Sequence, residues 1–86
     1  MEKKINCKLL ERKPESGNVT FVIKSVKDDV TYSVRNCDLV LSDEEAVKMG
    51  YKCYNGNVEL KSNGSSRDVL ACLWVRDVDC VLVYNE

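Results

Sequence analysis

Apolar and polar residues alternate along the first part of the chain, which is typical of half-buried β-strands. Three strands are predicted, over residues 3–12, 19–26 and 30–35. Turn-forming residues separate them at 13–18 and 27–29. The chain is therefore expected to open as an antiparallel meander. The side chains expected to point inward are Ile5, Cys7, Leu9, Val19, Phe21, Ile23, Val30, Tyr32 and Val34.

A short α-helix is predicted over residues 43–49. Ser42 and Glu45 form a capping box, in which each side chain accepts a hydrogen bond from the backbone N–H of the other residue. Gly50 follows as a residue suited to end a helix in the left-handed conformation. Because so short a helix is not stable alone, its apolar residues are expected to pack on the sheet. These residues are Ala46, Val47 and Met49.

The dipeptide Asn55-Gly56 favours a two-residue type I′ turn. It predicts a hairpin between residues 51–54 and 57–60, with Tyr54 at its exposed tip. The polar segment 62–67 is predicted to be a loop, because it is rich in Ser, Asn and Gly.

The C-terminal stretch 69–84 predicts a second hairpin whose strands are apolar on both faces. A turn at 76–79 pairs Trp74 with Val81 and Cys72 with Val83. Since both faces are apolar, both are expected to be covered by another part of the fold or by another molecule. One face carries Cys72, Trp74, Val81 and Val83, and the other carries Ala71, Leu73, Val75, Cys80, Leu82 and Tyr84.

These elements predict one small domain over residues 1–86 of class α+β. It consists of a mostly antiparallel sheet, built from the meander and two hairpins, with one short helix around residues 43–49. The doubly apolar C-terminal hairpin suggests a partly closed barrel. The element order also resembles that of small Greek-key barrels such as the OB-fold.

The composition excludes several classes of protein. Apolar residues make up 44% of the chain and charged residues 31%, as in ordinary globular proteins. No apolar run reaches the length of a membrane helix, and none follows the basic residues at the N terminus, so we expect a cytoplasmic protein without a secretory signal. The five cysteines show no close spacing, which favours reduced thiols over a disulfide framework.

No pattern indicates catalysis. The chain has no histidine, so the commonest general base is missing. The paired acidic residues fall in predicted turns or at the start of the helix, where carboxylates serve local structure. There is no cysteine knuckle for zinc and no glycine-rich phosphate loop. We therefore predict no enzyme activity, no cofactor and no metal, and we read the cysteines as small apolar residues, with Cys37 the most exposed.

A protein-binding module is the predicted function, acting as a regulator or inhibitor. The predicted contact patch consists of Cys72, Trp74, Val81 and Val83, with Trp74 as the anchor. Alternatively, Trp74 is simply a core residue. Tyr54, Asp77 and Asp79 are secondary contact candidates. Self-association through the same patch is the simplest partnership, and small proteins of this kind are often encoded by phages or other mobile elements.

The uneven distribution of charge supplies an alternative function. Residues 1–27 hold seven basic and three acidic side chains, a net charge of +4, whereas the rest holds six against eleven, a net charge of −5. Lys3, Lys4 and Lys8 on the first strand are then candidates to bind single-stranded nucleic acid in the manner of an OB-like barrel. The acidic pI of about 5.5 disfavours this alternative.

Overall fold

The computed structural model describes residues 1–40, 47–62 and 64–85. In these ranges the chain forms a single antiparallel sheet. Each strand pairs with the next along the chain, and the last strand pairs back with the first, which closes the sheet into a six-stranded barrel. The strands are β1 (Glu2–Glu15), β2 (Asn18–Ser25), β3 (Thr31–Val40), β4 (Lys52–Ser62), β5 (Ser65–Arg76) and β6 (Asp79–Asn85).

The core fills the inside of the barrel, because alternation along each strand sends every second side chain inward. Ile23, Val34, Leu73 and Leu82 are completely buried there. All of the residues predicted to point inward, except Val30, belong to the core cluster or pack against it. Val30 precedes β3 and is 43% exposed, so its predicted inward position is wrong. The buried core is made of Cys7, Phe21, Ile23, Val34, Cys37, Val58, Ala71, Leu73, Cys80 and Leu82.

Closure depends on a pairing between the two ends of the chain. Cys7 on β1 lies directly opposite Cys80 on β6, and the same register continues to Glu2 and Asn85. The register of β1 with β2 shifts between Leu9 and Glu11. Such a bulge bends a strand and increases its twist, which a small closed barrel requires.

The predicted α+β class is wrong, because the described residues form an all-β barrel. Since the six strands cover one another's inner faces, the core is closed without a helix. Residues 43–46 of the predicted helix over 43–49 lie outside the described residues. At its end, the Gly50 N–H donates to the Val47 carbonyl at 3.0 Å and Gly50 has φ of 86°. Val47 and Met49 are 57% and 62% exposed, so they do not pack on the sheet as predicted.

The predicted hairpin at Asn55-Gly56 is also wrong. These residues lie inside β4, which runs without interruption to Ser62, and Ser62 pairs with Ser65 across the turn that follows. That turn includes Gly64, the glycine of the second Asn-Gly pair in the sequence. Gly64 has φ of 81°, and Asn63 lies outside the described residues. Both pairs favour a turn locally, and the pairing of β3 with β4 decides between them.

The pairing predicted for the C-terminal hairpin is confirmed. Trp74 lies opposite Val81 and Cys72 lies opposite Val83. The barrel was predicted to be partly closed, and it is completely closed. Its strands follow one another around the barrel without a Greek-key crossover, so the predicted resemblance to the OB-fold order is wrong. The described residues thus form a small β-rich domain.

Candidate functional site

One face of the C-terminal hairpin lies inside the barrel and the other lies outside. Leu73 and Leu82 are opposite each other in the core. Trp74 and Val81, one residue along each strand, therefore point outward, and they are only partly buried. Trp74 is not part of the core cluster, so it does not have the position expected if it were simply a core residue.

Apolar side chains continue across the outside of four neighbouring strands. Val40 on β3 lies opposite Cys53 on β4, and Cys53 lies opposite Trp74 on β5. Trp74 in turn lies opposite Val81 on β6. Directly opposed residues share a face of the sheet, so these side chains form one row on the outer surface. We call this row and the adjacent outward residues of the hairpin the outer patch; it consists of Val40, Cys53, Cys72, Trp74, Val81 and Val83.

Cys53 is unusual, because it is buried although it lies outside the barrel core. Its exposed fraction is 4%, yet it does not belong to the core cluster. Burial raises the pKa of its thiol to about 11, and the neighbouring Cys72 adds to this shift. The predicted hairpin at Asn55-Gly56 would put Cys53 opposite Val58 on one face, whereas the observed register turns the two residues to opposite faces of β4.

A shallow depression of about 340 Å³ adjoins the outer patch. Gly56 and Ala71, which lie opposite each other, form part of its lining. Cys72 and Val83 of the outer patch line it, together with Leu70, an apolar residue that is 80% exposed. Leu70 was missed in the sequence because it was read only as part of an apolar run.

Charged residues border the outer patch on the side of β1. Lys4 lies opposite Val83, and Lys8 lies opposite Asp79. Lys8 and Asp79 form a salt bridge, which raises the pKa of the lysine and lowers the pKa of the carboxyl group. The Lys4 ammonium is 3.9 Å from the Glu2 carboxylate. Asp79 thus lies at the border of the patch, as a secondary contact would.

Two other predicted contact residues lie away from the outer patch. Tyr54 is not at an exposed tip, because β4 continues past it and its ring meets Phe21 inside the barrel, with the centroids 4.8 Å apart. Asp77 occupies the β5–β6 turn with φ of 56°, a backbone role that Asp fills better than most residues. Tyr54 therefore does not have the exposed position that was predicted for a contact residue.

The lysines of the alternative nucleic-acid surface do not form one patch. Lys3 lies opposite Tyr84 and shares the inward face of that residue, whereas Lys4 and Lys8 point outward. The two outward lysines are close to the carboxylates of Glu2 and Asp79. No aromatic side chain occurs in β1 to stack with a base.

A second concave region, of about 940 Å³, lies at the end of the barrel that holds the β4–β5 turn. Tyr32 and Tyr84 both face it, and burial together with Tyr84 raises the pKa of Tyr32. Sequence reasoning missed this region because its lining comes from strands far apart in the chain. The lining includes Tyr32, Leu60, Ser62, Ser65, Arg67 and Tyr84.

The cysteines do not gather around a metal site. Cys37 is buried, not exposed as predicted, and its thiol donates to the Val34 carbonyl at 3.3 Å. Within residues 1–40, 47–62 and 64–85, no group of three or more potential metal ligands occurs. Across the same ranges, no helix has the length and apolar character needed to cross a membrane.

Comparisons with family models, with curated proteins and with solved structures find no match to this chain.

Proposed function

We propose that this protein is a non-enzymatic protein-binding module, a regulator or inhibitor, that contacts its partner through the outer patch. The observation that carries the proposal is the row Val40, Cys53, Trp74 and Val81, which places apolar side chains outside a barrel whose core is already complete. Val40, Trp74 and Val81 are partly accessible there, and contiguous apolar surface outside a core is typical of interaction sites.

The shape of the outer patch favours a protein over a small molecule. Small-molecule sites are concave and enclose most of the ligand, whereas the outer patch lies on the outside of a barrel. The depression beside it fits a side chain of a partner, in contact with Leu70 and Val83. Trp74 supplies the anchor, because Trp is the residue type most enriched among energetically dominant interface contacts.

A second copy of the chain is the simplest partner, since the same patch on two copies can meet about a twofold axis. A different protein meets the same requirements. Either partner would bind through the outer patch, so a single substitution in the patch tests whether a protein binds there.

Val81→Lys places a charge at the centre of the outer patch without changing the barrel interior. Val22→Lys is the matched control, because Val22 is also a partly buried, outward-pointing valine on a strand. Val22 lies opposite Glu11 and Ser33, on a polar part of the barrel. Affinity capture from the source cell is expected to retain a discrete protein on wild-type and Val22→Lys bait and to lose it on Val81→Lys bait. Equal retention by all three would contradict the proposal, and circular dichroism of each bait checks that it folds.

A further inference from the structure

The barrel brings its cysteines together in two thiol pairs. Cys7 and Cys80 lie directly opposite each other inside the barrel, and both are 2% exposed. Cys53 and Cys72 lie on the outer surface, on the neighbouring strands β4 and β5. All four are free thiols. The two pairs differ in their access to solvent, and this difference determines what each can do.

The register places Cys53 and Cys72 as diagonal neighbours on one face. Cys53 lies opposite Trp74 and Cys72 lies opposite Asn55, so the two cysteines are one row apart. Cys72 is close enough to Cys53 to add to the rise in the pKa of the Cys53 thiol, which is caused first by burial. The Cys72 thiol also donates to the Asn55 side-chain oxygen at 3.2 Å. Both cysteine side chains therefore project from the same face of adjacent strands.

Access to the pair is one-sided. Cys72 is partly exposed and borders the depression beside Leu70, whereas Cys53 is almost completely buried. An oxidant arriving from solvent meets the Cys72 sulfur first. Cys53 is then positioned as the resolving thiol behind it.

We propose that Cys53 and Cys72 are a redox modification site, at which oxidation by a low-molecular-weight disulfide such as oxidised glutathione links the two strands. The Cys72 thiolate attacks one sulfur of oxidised glutathione, releases one glutathione thiolate and forms a mixed disulfide. The Cys53 thiol then loses its proton, and its sulfur attacks the Cys72 sulfur and displaces the second glutathione. The protein loses two protons and two electrons, and one oxidised glutathione becomes two reduced ones.

The raised pKa of Cys53, about 11, makes the second step the slower one, since only the thiolate attacks. A mixed disulfide at Cys72 is therefore expected to appear before the internal disulfide. The pair Cys7–Cys80 is enclosed by the barrel and stays reduced under the same conditions. This inference concerns the purified protein and does not depend on whether a partner binds the outer patch.

The test treats reduced, folded protein with oxidised glutathione and follows intact mass and linked peptides. The expected product has lost two hydrogen atoms, carries a linkage between Cys53 and Cys72, and returns to the starting mass with reductant. Trp74 fluorescence is expected to fall with the same time course, because a disulfide beside an indole quenches it. Cys72→Ser is expected to abolish the internal linkage, and Cys7→Ala is the control that should retain it.

Three results would overturn the proposal. One is a stable glutathione adduct at Cys72 that never passes to Cys53, which would mean that the strands hold the sulfurs apart. Another is a linkage of Cys7 to Cys80 in place of the outer pair. The third is a lack of reaction in the folded protein under conditions that oxidise the same protein in denaturant.

Discussion

Phe21 on β2 and Tyr54 on β4 meet edge to face inside the barrel, with ring centroids 4.8 Å apart and planes at 61°. The two strands are separated by β3, so this contact spans the interior and does not follow the hydrogen-bonded sheet. Such aromatic pairs contribute about 0.5–1.5 kcal/mol beyond the area that they bury.

Phe21→Ala is expected to lower the free energy of unfolding by about 3–5 kcal/mol, because it leaves a cavity in the centre of a small core. Tyr54→Phe keeps the ring and is expected to cost at most about 1.5 kcal/mol. Urea denaturation followed by Trp74 fluorescence measures both values. A loss at Phe21 no larger than that at Tyr54 would show that the contact does not organise the core.

Gly56→Ala is expected to destabilise the barrel by steric overlap. A Cβ atom at this position would lie 2.8 Å from the Arg35 carbonyl oxygen and 2.8 Å from the Cys37 sulfur. Overpacking of this kind costs about 1–3 kcal/mol. Adding Cys37→Ala removes one of the overlapping atoms, so the penalty of Gly56→Ala is expected to be smaller in that background.

Gly64→Ala is the control for the previous change. Nothing lies within 4 Å of a Cβ atom at Gly64, and its cost comes only from the left-handed backbone with φ of 81°. Its effect is therefore expected to be the same with and without Cys37→Ala. Thermal unfolding of the wild type, the three single variants and the two double variants gives the coupling energies, and equal coupling at both glycines would contradict the steric explanation.

The thiols are expected to react with a disulfide reagent in a fixed order. Cys72 is the one cysteine of the described residues that is partly exposed, so it reacts first at pH 8. Burial raises the pKa of Cys37 and Cys53 to about 11, and therefore both hold less thiolate than an ordinary cysteine until the pH approaches that value. Mass mapping after short reaction times checks the order. Early labelling of Cys37 would contradict the buried position of that residue.

The salt bridge between Lys8 and Asp79 predicts a specific response to acid. Lys8 lowers the pKa of Asp79 below 3.8, so the carboxylate stabilises the fold above that pH, and the contribution is lost as the pH falls through the lowered value. Lys8→Met is expected to raise the pKa of Asp79 in an NMR titration. Asp28 is the internal control, because its lowered pKa depends first on Ser25 and then on the Val30 N–H, and it should not move.

Sequence patterns predicted the local features and missed the choices that depend on distant contacts. The β5–β6 register was readable because the turn and the apolar residues on both sides agree with one pairing. The turn between β4 and β5 was not predictable, because two Asn-Gly pairs have the same local preference for a turn. The first pair lies within β4, where its neighbours pair with β3. The pairing of Cys7 with Cys80 could not be predicted from local sequence patterns either, because the two residues are far apart in the chain.

The same division applies to the outer patch. Cys72, Trp74, Val81 and Val83 share a face by simple alternation, so the sequence placed them together. Val40 and Cys53 join them only through the pairing of three strands, and a turn at Asn55-Gly56 would put Cys53 opposite Val58 instead of Trp74. The second apolar face of the C-terminal hairpin could be predicted from the sequence, but the extent of the outer patch across neighbouring strands could not.

Site-specific photo-crosslinking tests the proposed function most directly. A benzophenone side chain is introduced at position 81, in the outer patch, or at position 22, on the polar part of the barrel, and the protein is irradiated in the source cell. Val81 is expected to give a discrete adduct, either with a second copy of the chain or with one other protein, whereas Val22 gives none. Adducts of the same pattern from both positions, or no adduct from Val81, would contradict a protein-binding role for the outer patch.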